Sequence, residues 1–332
     1  MRRTELYEPE RKEAFLAACY SDETQKENVR TLLESLGEQE KRIGKDFCQM
    51  TPEEVHTALV GVVGSRYRSS TARKVPLQKY VSWCIENGIP GANPVLDGVS
   101  FTDAGKDKLA SQSVGNPTQL QKYMDCIFDR EEADTVDLIY RGFFWLAFCG
   151  IREETQALEL PESAVDIGRN LIHFQGKDYE ILPEARRVIS KCKTLHSFYY
   201  SHPHYDTVLR PRAIGTRLLR GYKEDMNIKT IRCALARKTK EHKFANETDM
   251  RGNKLNLFLS YDRVWLSGRF YDTWIREQAG LPISFQALAQ EFTEGKTYAV
   301  SGGRNKPEAR LRWVETDYRR DYLNWKRVHG YV

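Results

Sequence analysis

Across residues 136–182 the spacing of apolar side chains changes period, and few folds accommodate that change. Val136, Ile139, Tyr140, Phe143, Phe144 and Ala147 recur at offsets of 3, 4, 7, 8 and 11. That is helical spacing with one broad buried face. Gly150 stops the helix and leaves Arg152 at the head of the next turn, beside Glu153 and Glu154. Beyond it, Ala164-Val-Asp-Ile, Leu171-Ile-His-Phe and Tyr179-Glu-Ile-Leu read as short strands. Gly168-Arg-Asn and Gly176-Lys177-Asp178 supply the tight turns between them. Pro183 then opens a helix through Arg186, Arg187, Val188 and Ile189. Helix, small sheet and helix again predict a mainly α chain with a small β-sheet, an α+β domain.

The flanks extend the helical part. Val29, Leu32, Leu33 and Leu36 repeat at helical spacing before Gly37, and Thr51-Pro52-Glu53-Glu54 is a helix start with a capping box. A further helix holds Val75, Leu77, Tyr80, Val81 and Cys84 and ends at Asn87-Gly88. Residues 1–97 therefore read as a helical bundle, 98–117 as a Gly-, Ser- and Asp-bearing linker, and 118–332 as the mixed domain. A length of 332 residues fits about two domains. No apolar run approaches the roughly 18 residues of a membrane span, and the first residues carry no apolar signal region. Seven scattered cysteines form no disulfide framework and point to a reducing cytoplasm.

Cations cluster in three places. Residues 65–74 bring Arg66, Arg68, Arg73 and Lys74 to a helix start, where phosphate is readily held; a solvated charged loop is the plainer alternative. The turn-rich stretch 209–221 carries Arg210, Arg212, Arg217 and Arg220. A basic helix from Ile228 carries Lys229, Arg232 and Arg237, with Ile228, Ile231 and Leu235 facing inward. A net charge of +5 permits nucleic acid binding without requiring it. Together these segments predict a surface for double-stranded DNA. Further on, Asp262 or Ser260 caps a helix through Val264, Leu266, Phe270 and Trp274, and Ser284 caps another. A last helix over residues 308–327 aligns Tyr318, Tyr322 and Trp325.

The order of these features resembles the tyrosine recombinases, the phage integrase family. Met-Thr-Pro-Glu-Glu and Tyr-Val-Ser-Trp-Cys-Ile-Glu-Asn-Gly-Ile look like parts of its core-binding domain. Phe-Cys-Gly-Ile-Arg152-Glu-Glu is similar to its first-arginine motif, the Lys177 hairpin to its catalytic lysine turn, and Leu-Ser-Gly-Arg-Phe-Tyr-Asp to the helix before its second box. The resemblance implies attack of a tyrosine hydroxyl on a DNA phosphodiester, giving a 3′-phosphotyrosyl link. Two arginines and a histidine or tryptophan hold the anionic transition state, and a lysine protonates the leaving 5′-oxygen. Arg152 and Lys177 take two of these roles. The second box, histidine or lysine followed three residues later by arginine, is expected at Ser284-Phe-Gln-Ala287, with both key positions vacant. Tyr318 follows Ala287 by 31 residues (318 − 287), the separation expected of the nucleophile; packing beside Tyr322 and Trp325 is its alternative. Trp313 and Arg310 are nearest to the remaining His/Trp position, and Lys229-Thr-Ile-Arg232 is a rival for the second box.

Cys192, His196, His202 and His204 match no zinc pattern, and no cofactor motif occurs. The function expected is a DNA-binding regulator, derived from a phage or mobile element, on a recombinase frame with an incomplete site. Phage repressors on this fold are the analogy. The alternative is an active integrase. In either case the partner is double-stranded DNA, with self-association on it through the C-terminal helix and a cytoplasmic, nucleoid-bound location.

Overall fold

A computed structural model describes residues 5–63, 71–202, 205–222, 226–241, 260–293 and 307–332. The chain is mainly helical with two small antiparallel sheets among these residues, the class that the change of period predicts. It divides into Met1–Ala110 with Ser284–Val332, and Ser111–Ile283.

The first unit begins with α1 (Pro9–Cys19), α2 (Glu23–Ile43), α3 (Pro52–Val62) and α4 (Lys74–Glu86). Caps define their ends. The Asp22 carboxylate accepts from Gln25 N at 2.7 Å. At α3 the predicted capping box is made: Thr51 N donates to Glu54 Oε2 at 2.8 Å and Glu54 N to Thr51 Oγ1 at 3.3 Å. Phe15, Leu33, Leu36, Phe47, Leu59 and Leu77 are fully buried between these helices. Lys12 and Glu40 form an ion pair inside that core, both without exposed surface. Burial raises the Glu40 carboxyl to about 6 in spite of Lys12, since a charge in an apolar interior loses its hydration.

The stretch predicted as a linker carries a helix, α5 (Phe101–Gln112). Its buried Phe101, Ala104 and Leu109 share one face at offsets of 3 and 8, too sparse a stripe to stand out among Gly, Asp and Lys. The unit is completed by α12 (Phe285–Thr293) and α13 (Pro307–Val328).

The second unit is built on α7 (Asp137–Phe148), all of whose residues are buried. Even Arg141 is enclosed; it donates to Asp125 Oδ1 at 2.8 Å and to the Asp129 and Phe128 carbonyls at 2.7 and 3.2 Å. This satisfies a buried charge with geometry rather than solvent. Around it stand α6 (Pro117–Ile127), α8 (Glu154–Glu159), α9 (Pro183–Thr194), α10 (Ile228–Glu241) and α11 (Tyr261–Gln278). At Gly268, α11 comes so near α7 that a Cβ would collide with the Phe148 carbonyl.

Strands β1 (Val165–Asp166), β2 (Leu171–Phe174) and β3 (Lys177–Glu180) form the predicted antiparallel sheet, with Ile172 opposite Tyr179 and Phe174 opposite Lys177. Its last turn lies one residue earlier than expected. Gln175 and Gly176 take the positive φ values, 50° and 73°, so Lys177 becomes the first residue of β3. Strands β4 (Ser197–His202) and β5 (Tyr205–Pro211) pair antiparallel as a second sheet, lying mostly ahead of the turn-rich stretch 209–221 and not predicted from the sequence.

Candidate nucleic-acid interface

Arg152 is held by backbone packing. Gly150 has φ +115°, and a Cβ there would come within 3.1 Å of the Tyr179 ring, so the turn requires glycine. From α11, Trp265 Nε1 donates to the Gly150 carbonyl at 3.1 Å and the Tyr261 hydroxyl to the Ile151 carbonyl at 2.8 Å. The Arg152 guanidinium lies 5.7 Å from the Trp265 ring centre, and its Nε is 3.3 Å from Glu153 Oε1.

A second guanidinium comes to the same turn. Arg269 Nη1 lies 3.7 Å from the point where a Cβ on Gly150 would stand, and 3.6 Å from Asp272 Oδ2. Leu266-Ser267-Gly268-Arg269 has the spacing of the family's second box. The resemblance places that box at Ser284-Phe-Gln-Ala287 instead. Ser284 is an ordinary helix cap whose Oγ accepts from Ala287 N at 3.2 Å, and Ala287 is exposed in the first unit. Three residues before Arg269, Leu266 is 4% exposed, an apolar side chain that can neither donate nor accept a hydrogen bond. The close passage of α11 over α7 brings Arg269 to this turn.

Lys177 is exposed at the start of β3. Its hairpin is tied to α8 by Gln156 Nε2, which donates to Gln175 Oε1 at 2.9 Å. The turns bearing Arg152 and Lys177 are thus both anchored through residues 153–156 and the β2–β3 loop.

Tyr318 belongs to the first unit. It is 5% exposed, its ring 6.3 Å from Phe285 and 6.5 Å from Phe292. Tyr322 stacks on Trp325 next to it at 6.1 Å. Counted from Arg269, Tyr318 lies 49 residues on (318 − 269) and Tyr298 lies 29 on (298 − 269). Tyr298 lies outside the described residues, as does the side chain of Arg310. Trp313 is half exposed.

The basic segments differ in fate. Arg66 and Arg68 lie outside the described residues, while Arg73 and Lys74 stand at the start of α4. Arg210 is exposed and lies 4.3 Å over the Tyr200 ring. Arg212 and Arg220, expected to face DNA, are instead buried and share the Glu162 carboxylate. Arg212 also donates to the carbonyls of Leu195 at 3.1 Å and Leu218 at 2.5 Å. Burial, and then the charge of Arg220, lowers its proton affinity. These two arginines brace the turn, and neither offers its charge to a phosphate. Arg217 is partly exposed, and its backbone bridges to Pro161.

On α10 the expected polarity holds: Ile231 and Leu235 are buried, and Lys229, Arg232 and Arg237 are exposed. Arg232 Nε donates to Glu154 Oε1 at 3.2 Å. Lys229-Thr-Ile-Arg232, the rival second box, thus lies on a solvent-facing helix. Cys192, weighed as a zinc ligand, is buried with its thiol directed at the Leu138 carbonyl, and burial pushes that thiol up to about 12. Among the described residues no group of three or more His, Cys, Asp or Glu side chains could hold a metal ion, and no helix is long and apolar enough to cross a membrane.

No curated protein matches the chain. Residues 6–86 match the family model described as MrpR, N-terminal core-binding domain, the same helical region that the sequence likens to an integrase core-binding domain.

Proposed function

We propose that this chain is a double-stranded DNA-binding regulator on a tyrosine-recombinase frame, one that grips phosphates without cutting them. One observation carries the reading: Arg152 and Arg269 both reach the Gly150 turn, while buried Leu266 stands where a histidine would complete the box. Removing one preorganised donor from a site of this kind costs about 3 kcal/mol, or a factor of roughly 10² in rate. Two arginines alone remain good phosphate anchors.

In this reading the helical region around the match at residues 6–86 serves as a core-binding domain, and the unit Ser111–Ile283 serves as the recombinase-like part. The 98–117 linker and the single 118–332 domain expected from the sequence are not kept, because helix 101–112 packs into the first unit and residues 284–332 belong to it. Arg66, Arg68, Arg73, Lys74, Arg210, Arg217, Lys229, Arg232 and Arg237 contact the DNA backbone, as do Arg152, Arg269 and Lys177. Such binding weakens steeply with salt as counterions are released. Self-association on DNA through α13, a phage or mobile-element origin and a nucleoid-bound cytoplasmic location belong to the same proposal.

The presence of Arg269 favours a second reading, an active recombinase. There a tyrosine hydroxyl forms the bond to phosphorus, the P–O5′ bond breaks, and Lys177 protonates the departing 5′-oxygen. Tyr298, by its spacing from Arg269, and Tyr318 are the tyrosines to test. Nicked duplex carrying the bound site separates the two readings. Salt-sensitive binding with no covalent adduct supports the regulator. An adduct that vanishes in Tyr298→Phe or Tyr318→Phe overturns it.

A further inference from the structure

A groove of about 550 Å³ runs along the exposed side of α10. Lys229, Cys233 and Arg237 line it at successive helical turns, i, i+4 and i+8, with Asn227 and Thr230 at one end and Tyr140 of α7 as the facing wall. Helical geometry places the two cations about 12 Å apart at the backbone, with Cys233 midway. Their long side chains can converge over the thiol. Tyr140 is 7% exposed and brings an aromatic surface to a basic wall.

Two acids near the groove are engaged among the described residues. Asp137 accepts from Lys238 Nζ at 2.6 Å and from Asp129 N at 2.9 Å. Glu154 is taken by Arg232 on another face of α10. Lys229 has no ion-pair partner among the described residues. Lys229 and Arg237 give the groove a basic lining, and anions concentrate where a positive field meets a concave surface. Its volume falls within the range of about 300–1,000 Å³ typical of small-molecule sites. A single inorganic anion would fill only a fraction of it.

We propose that this groove binds a small phosphate monoester of mononucleotide size, its phosphate between Lys229 and Arg237 and its body against Tyr140. The inference shares these two cations with the DNA surface, so ligand and duplex compete for α10; it does not depend on DNA binding being correct.

Alkylation of Cys233 by the neutral reagent N-ethylmaleimide reads the site directly, with exposed Cys126 as internal reference. With the full chain, millimolar AMP should slow labelling of Cys233 at least fivefold and leave Cys126 unchanged. Lys229→Ala with Arg237→Ala, both on exposed positions, should abolish the protection while the circular dichroism stays that of the parent. Absence of protection by AMP, or equal protection in the double variant, overturns the proposal. Equal protection by inorganic phosphate also overturns it, in favour of a plain anion patch. Protection by a short duplex and not by AMP assigns the groove to the DNA surface alone. Duplex binding is measured separately by fluorescence anisotropy, so protection by AMP without duplex binding leaves this site standing and removes the DNA reading.

Discussion

Two neighbouring basic stretches, residues 209–221 and α10, carry the same kind of sequence and do opposite work. In the first, Arg212 and Arg220 turn inward onto Glu162. In the second, Lys229, Arg232 and Arg237 stay at the surface while Ile231 and Leu235 go in. The helix has apolar residues on its inner face, so its cations stay out. The turn has no regular period to separate its faces: Leu218 and Leu219 go in while Ile214 stays out, and the stems of Arg212 and Arg220 go in beside them, with one carboxylate and several carbonyls receiving the charge. A cluster of cations in a sequence therefore indicates a charged surface only where a separate apolar stripe already supplies the core.

The strongest way to break this contrast is Glu162→Ala. It leaves two buried guanidiniums without their carboxylate and should cost about 3 kcal/mol or more in urea unfolding. A loss below 0.5 kcal/mol would mean that the inward arginines are not the frame of the turn. Next comes the one-to-one buried pair of the first unit. Because Glu40 titrates near 6 when folded, against 4.5 as its ordinary value, the folded state binds the extra proton between those values. Stability should thus fall as pH rises from 4.5 through 6, by on the order of 1–2 kcal/mol. Glu40→Gln should flatten that slope; a parent profile already flat would sink the assignment.

On the outward side, Lys229→Ala with Arg237→Ala should weaken duplex binding about tenfold, roughly 1.4 kcal/mol. The same double change should make the salt dependence shallower by about 1.8. Arg212→Lys should leave that slope unchanged. Glu154→Gln gives the smallest effect and the opposite sign. It releases Arg232 from its carboxylate and should tighten binding about threefold, with a steeper slope. Weaker binding would show that Glu154 aims Arg232 at DNA and does not withhold it.

Much of the frame was legible beforehand. The Thr51-Pro-Glu-Glu cap, the outward cations of α10 and the change from helical to strand period each depend on neighbours a few residues away. Arg152 and the Lys177 hairpin were equally visible, since a helix-stopping glycine and a tight turn mark them. The helix at 101–112 was hidden by its sparse apolar stripe.

Local sequence thus determined the mainly helical class, the three-stranded sheet and the turns that present Arg152 and Lys177, because periodicity, capping and turn chemistry act over a few residues. Tertiary structure alone decided which arginines count. Arg269 reaches the Gly150 turn only because Gly268 lets α11 lie against the Phe148 carbonyl, and Arg212 and Arg220 leave the surface only because Glu162, some 50 residues earlier in the chain, receives them. Burial of a charge is settled by partners far away in sequence, which no local pattern records.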